Sequence, residues 1–385
     1  MEPQPYNKDR FVNRKEEVMA VKAALDSAVQ QSRVLAFTGP RGSGKTWLID
    51  HLENEFRGQD RIWCVKLNFE SLRAETRNEP DFVRKVLQAF ANALAAITGK
   101  IEAPERISPT RWGEWLIQDV RRITSEKTLL VLLDSVYETP ETCLNALEDV
   151  FLGALVAENR VVVIMAGQGT YPLWRSRELA RASVIPLRPF QADDLQELLE
   201  KRNIQLTVDW LTDWTGGYAL PVGLLVENPA DPVAMIEGTL THILDNLPKN
   251  SGLPNPLRFL KDYMVLAVLR VFDEDRLEAL GIKRPEVSQL IDQLLQWDLA
   301  AYQRDMRGYV LDEALHYLWG RWARERQKER WENLHQSASE LYQKWARDYQ
   351  ATAQFWLTEN AYHTKQVASL AQSVNSKLTQ EVNHG

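Results

Sequence analysis

Arg33-Val-Leu-Ala-Phe-Thr38 runs without a break into Gly39-Pro40-Arg41-Gly42-Ser43-Gly44-Lys45-Thr46, and apolar residues at Trp47, Leu48, Leu52 and Phe56 follow at once. A short apolar run, a glycine-rich turn and an apolar-periodic stretch spell strand, loop and helix in that order. The turn fits G-x-x-x-x-G-K-[ST] in full, and its flanks are the ones that give this pattern its meaning. Glycines let successive backbone N–H groups face phosphate oxygens. The following helix offers its positive end, Lys45 a point charge for the β/γ-phosphates, and Thr46 a hydroxyl for Mg²⁺. A glycine-rich turn that merely happens to contain Lys-Thr would not need a strand before it and a helix after it. The segment is therefore expected to bind a nucleoside triphosphate with magnesium.

Outward from this loop, Val18, Val21, Leu25 and Val29 mark one helix face upstream, and residues 61–67 read as a second strand downstream. Two strands flanking a helix suggest a parallel βαβ unit. Helices are expected over 80–98 and 111–124 with a loop at 99–110. Leu129 to Leu133 is apolar on both faces, as a strand buried in a parallel sheet must be, and it ends in Asp134. A helix over 141–158 leads to a fourth strand at 160–165, and residues 183–187 supply a fifth. This alternation predicts an α/β, doubly wound parallel-sheet core over residues 1–190.

From Ala192 the spacing turns helical, with breaks at Gly216-Gly217, Pro221 and the proline-rich 248–256. These breaks place a helical lid at 191–250. Three short helices, a strand at 299–303, a turn and a strand at 309–311 make residues 251–325 a winged-helix domain. A helical tail over 326–385 opens with Leu334, Ala338, Leu341 and Trp345 on one face.

The net charge of −7 means that the surface as a whole repels polyanions, so broad nucleic-acid binding is disfavoured. Cys64 and Cys143 stand far from any partner at metal-ligand spacing, which excludes a zinc site or a disulfide framework. No apolar run reaches the ~18 residues of a membrane span, and the first residues lack a signal-type apolar core. A cytoplasmic setting without membrane partners is expected.

A triphosphate site also needs a carboxylate on a neighbouring strand to hold the metal. Asp134 answers to this, with Thr46 as the other metal-side residue; alternatively it caps the next turn. Glu138, four residues on, either orients the attacking water or is a solvated loop acid. The expected catalytic set is Lys45, Asp134 and Glu138.

With these residues in hand, the chain resembles the STAND class of signal-transducing ATPases, a branch of the AAA+ superfamily, over roughly residues 8 to 365. Phe11-Val-Asn-Arg14-Lys-Glu-Glu17 looks like that family's F-x-G-R-x-x-E segment, with Asn13 in place of Gly. Asp134-Ser-Val-Tyr-Glu138 resembles its D-G-L-D-E, with Tyr137 for the second acid, and Gly216-Gly-Tyr-Ala-Leu-Pro221 resembles its G-x-P region. The resemblance implies that ATP or ADP is held by Arg14 near the adenine, by Gly39 through Trp47 around the phosphates, and by Pro221 near base and ribose. Where the family commonly has an arginine that senses the γ-phosphate, this chain has Gln168 within Ala166-Gly-Gln168-Gly169, and Gln supplies no charge. Where related proteins often hold ADP's β-phosphate with His, this chain has Asp312. Arg175 or Arg177 either substitutes for the missing charge or is ordinary solvated surface.

The function expected from this is an ATP-binding switch with slow hydrolysis of ATP to ADP and phosphate. ATP would bind between core and lid, and nucleotide state would control homo-oligomer assembly or the binding of a separate effector or sensor protein. A DNA-acting ATPase is the rival, because winged helices read the major groove in many regulators. Against it, the recognition helix expected over 285–297 carries Glu286 and Asp292 but no Lys or Arg, with only Lys283 and Arg284 before it and Arg304 and Arg307 on the wing. A scaffold that holds nucleotide structurally is the third reading. Trp319, Trp322, Trp331, Trp345 and Trp356, toward the end of the chain, are either core or partner surface.

Overall fold

The computed structural model describes residues 6–382 apart from 9, 10, 13, 29–32, 75, 100–106, 169, 170, 246, 248–254 and 298, with side chains to residue 368. Asn13, Gly169 and most of the proline-rich break at 248–256 thus lie outside the described residues. By contacts the chain forms two compact units: residues up to Val208 together with Gly217–Leu220, and Asp209–Gly216 together with Pro221 onward.

In the first unit, β1 (Arg33–Thr38), β2 (Ile62–Asn68), β3 (Thr128–Asp134), β4 (Val161–Ala166) and β5 (Ser183–Pro186) form one parallel sheet in the order β2-β3-β4-β1-β5. Strand side chains alternate between faces, so an all-apolar strand requires cover on both. Leu129, Val131 and Leu133 of β3 face the helices Glu79–Thr98, Pro109–Ile123 and Glu141–Leu147, whereas Leu130 and Leu132 face Lys15–Ser27 and Lys45–Phe56. The expected α/β core is present. Pro186 sits at the end of an edge strand, where its missing N–H is tolerated.

Three local readings are refined. Pro109 belongs to a helix and not to a loop, because Ser108 accepts a hydrogen bond from the Arg111 N–H and a proline fits the first helical position. The helix expected over 141–158 is instead Glu141–Leu147, a π turn at Glu148–Leu152 and Gly153–Leu155. There Gly113 of the neighbouring helix lies so close that an added Cβ would stand 2.2 Å from the Val150 carbonyl oxygen. Phe69–Ala74 is a short additional helix after β2.

The second unit is helical, with Pro232–Asp245, Pro256–Asp262, Val265–Val268, Glu274–Ala279 and Arg284–Gln296 preceding an antiparallel hairpin of β6 (Ala300–Gln303) and β7 (Gly308–Leu311). Glu313–Arg326, Lys328–Asp348 and Ala353–Val382 follow. Trp319 and Trp322 are buried and donate to the Leu260 carbonyl and to Glu237 at 3.0 Å each, which gives both indoles a core role with their polar atom satisfied. No helix among the described residues is long and apolar enough to cross a membrane.

Candidate phosphate-binding site

The strand order determines which loops meet. β4 lies between β1 and β3, with Ala166 level with Phe37 and Met165 level with Leu133. The carboxyl ends of three strands therefore present Gly39, Gly167-Gln168 and Asp134 side by side. This is where open α/β sheets hold ligands, between adjacent strands, here β1 and β4, whose outgoing connections run in opposite directions.

The loop after β1 has the backbone that its glycines promise. Gly42 and Gly44 take φ of 75° and 91°, conformations that a Cβ disfavours, and Gly44 directly precedes the helix Lys45–Phe56. Lys45 Nζ donates to the carbonyl oxygens of Gly39 at 2.7 Å and Pro40 at 2.8 Å. Its ammonium thus stands inside the turn, where an arriving phosphate would compete for it. Ser43 is buried, and its N–H closes onto the Pro40 carbonyl at 3.2 Å.

The outer side of the loop is held from two directions. Arg14 Nη2 donates to the Ser43 carbonyl oxygen at 2.7 Å, and the Leu220 N–H donates to that of Gly42 at 2.9 Å. Leu220 also packs so closely that a Cβ on Gly42 would lie 2.9 Å from its own. The segment Gly217–Leu220 is tied in turn to the chain after β5, where the Phe190 N–H donates to the Gly217 carbonyl at 2.8 Å.

Across from the loop, Asp134 is buried at 2% exposure, accepts from the Ser135 N–H at 3.0 Å, and is bonded by the Thr46 hydroxyl. Burial raises its pKa, partly offset by those two bonds. Burial likewise raises that of Glu138, whose carboxylate receives the Gln168 backbone N–H. Asp134 Oδ2 and Glu138 Oε2 are buried without a hydrogen-bond partner. An orphaned carboxylate oxygen beside a hydroxyl suits a cation, and removing a carboxylate from water without one is costly. Among the described residues no group of three or more His, Cys, Asp or Glu is placed to hold a metal. Magnesium here would lean on Thr46, Asp134 and phosphate oxygens, the way this ion is commonly held.

The fold thus brings together Gly39 to Thr46, Asp134, Glu138 and Gln168. Trp47 faces Tyr6, which also bonds His51 Nδ1 at 2.9 Å. Pro221 is buried in the first turn of Ala219–Glu227 and groups with the second unit. Arg175 bonds Asp149 at 2.9 Å and the Asn145 carbonyl at 3.1 Å, an anchoring of its own loop. Asp312 accepts from the Leu315 N–H at 2.9 Å as the cap of Glu313–Arg326, which explains an acid at that position. Sequence reasoning passed over Arg73, which donates to the Glu138 carbonyl, and Gly167, where a Cβ would stand 2.6 Å from the Tyr137 nitrogen. A glycine directly before Gln168 was the one local signal available.

No protein-family model matches the chain, and no curated protein is similar to it in sequence. Among solved structures, Cdc6p of Pyrobaculum aerophilum is 14% identical over 84% of this chain and 97% of its own, with a TM-score of 0.44. The ORC2 protein of Aeropyrum pernix in its ADP form is 13% identical over 86% and 96%, with a TM-score of 0.45. The RuvB Holliday junction branch migration motor of Thermotoga maritima is 14% identical over 80% and 95%, with a TM-score of 0.39. Likeness this distant says nothing about substrate, partner or reaction.

Proposed function

We propose that the chain is an ATP-binding molecular switch of the STAND/AAA+ type, in which slow hydrolysis to ADP and phosphate resets a nucleotide state that controls self-assembly or the binding of an effector or sensor protein. The observation that carries this is the meeting of the Gly39–Thr46 loop, Asp134, Glu138 and the Gln168 backbone at one end of the sheet. Thr46 and Asp134 would hold Mg²⁺, which would supply neutralisation of charge on the phosphates. Loop N–H groups orient the phosphates, and Lys45 exchanges the Gly39 and Pro40 carbonyls for the β/γ oxygens. Glu138, whose affinity for protons is raised by burial, accepts the proton of the attacking water. Gln168 adds no positive charge at the γ-phosphate, which weakens transition-state stabilisation and suits a timer better than a motor.

The test is oligomeric mass and phosphate release with ADP, ATP–Mg²⁺ and a non-hydrolysable analogue, for wild type and Lys45→Ala. Wild type is expected to change mass with ATP and release phosphate slowly. Lys45→Ala should bind triphosphate at least about 100-fold more weakly, with its thermal melt unchanged. Normal triphosphate affinity in that variant would sink the site assignment. If mass ignores nucleotide and no phosphate appears, the nucleotide is structural.

The hairpin β6–β7 behind helix Arg284–Gln296 favours action on DNA as the second reading. Exposed acids at Glu286 and Asp292 oppose phosphate contact there. Duplex DNA added to the same preparation decides it: binding through phosphate contacts would weaken steeply between about 50 and 200 mM salt, and no binding would leave the first reading alone.

A further inference from the structure

Arg14 is a heavily committed side chain beside the phosphate loop. It is 4% exposed, and its backbone is left-handed at φ 67°, a conformation that any residue with a Cβ resists. Nη2 donates to the Ser43 carbonyl at 2.7 Å; Nη1 donates to the Arg188 carbonyl at 2.9 Å and approaches Glu17 at 3.3 Å. The guanidinium also lies over the Phe190 ring, 5.2 Å from its centroid. Both terminal nitrogens are thus engaged with protein oxygens.

The Ser43 carbonyl belongs to the peptide that also carries the Gly44 N–H. A trans peptide is planar, so its C=O and N–H point in opposite directions. Pinning the carbonyl outward with a charged donor turns the Gly44 N–H inward, at the start of the helix Lys45–Phe56 where a phosphate would sit. Gly44 alone cannot fix this direction, since at φ 91° it is the residue with the widest choice of conformations.

We propose that Arg14 is a positioning residue of the phosphate cradle, acting through the Ser43 carbonyl on the Gly44 N–H, and that it contributes to phosphate affinity and not to recognition of the base. The assignment rests on the nucleotide-binding reading above and differs from the place near the adenine that the family resemblance implies. Lys in its place reaches one carbonyl but cannot bridge both, because it lacks the planar fork.

The experiment measures the affinities of tripolyphosphate–Mg²⁺, ATP–Mg²⁺ and a fluorescent adenosine for wild type, Arg14→Lys and Arg14→Ala, with thermal melts to select folded variants. In Arg14→Ala, tripolyphosphate and ATP are expected to weaken about 10- to 100-fold while adenosine is unchanged, with Arg14→Lys in between. Loss of adenosine affinity with tripolyphosphate retained overturns the proposal, as does equal loss of both, or no change in either. If Arg14→Ala fails to fold, the same comparison is made on Arg14→Lys. Should the wild type fail to bind any triphosphate, the nucleotide reading falls and this proposal with it, whereas normal wild-type binding with indifferent Arg14 variants overturns only the role of Arg14.

Discussion

Asp134 shows what a buried, half-partnered carboxylate does to the stability of its own protein. A carboxylate that is buried, with one oxygen unpartnered and its pKa raised by desolvation, favours the folded state only when protonated. The sign follows: with the folded pKa above the unfolded one, this group's contribution is present below the unfolded pKa and lost as pH rises through the folded one. At neutral pH without a cation Asp134 therefore destabilises. Asp134→Asn keeps the Ser135 and Thr46 contacts and removes the charge. It is expected to raise the stability of the ligand-free protein by about 1 kcal/mol and to abolish the magnesium-dependent part of ATP affinity. Paired denaturation and binding curves check this. A variant less stable than wild type would mean that Asp134 is structural, the cap of its turn.

At the scale of elements, the hairpin of helices Lys328–Asp348 and Ala353–Val382 encloses His335 and His363, both with no exposed surface and with their Nδ1 atoms 2.7 Å apart. One Nδ1 donates and the other accepts, and burial keeps both rings neutral near pH 7. Burial lowers each pKa to about 3, with His335 and nearby Arg270 adding to it for His363 and His316 for His335. Arg270 is itself paired with Glu359. Unfolded histidines titrate near 6.5, so the unfolded state gains protons below that pH and the folded state does not. Stability is full above pH 6.5 and falls as pH drops toward 3. At pH 5 the loss is about 2 kcal/mol per ring. Tryptophan fluorescence melts between pH 7 and 5, compared with a His335→Leu, His363→Leu double variant, measure it; a pH dependence equal in the two proteins would place the cause elsewhere.

For the whole molecule, two compact units joined by a chain that passes between them predict more than one unfolding transition. The transition of the unit that carries the Gly39–Thr46 loop should respond most to nucleotide. Calorimetry with ATP–Mg²⁺ at about 100 times its Kd is expected to stabilise that transition by ~2.7 kcal/mol. A single transition that moves as a whole would show that the units unfold together. The segment Gly217–Leu220 belongs with the first unit although residues of the second flank it on both sides.

Much of this was legible along the chain. Gly39 to Thr46 declared its loop because strand, turn and helix signals are local and agree. Leu129 to Leu133 declared a strand covered on both faces, and so put Asp134 at a sheet end. Local periodicity is silent about which strands lie side by side. Only the tertiary structure set β4 between β1 and β3, which brings the Gln168 N–H to Glu138. Arg14 and Leu220 reach the same loop from 29 residues before Ser43 and far beyond Gly42, through single hydrogen bonds to backbone carbonyls. A carbonyl carries no residue identity for a sequence to display, so such contacts are decided by packing. The sequence by itself determined that a glycine-rich strand–loop–helix segment exists and where it starts; the fold decided what holds that loop in shape and which acids face it, because those distances are set by strand order and burial.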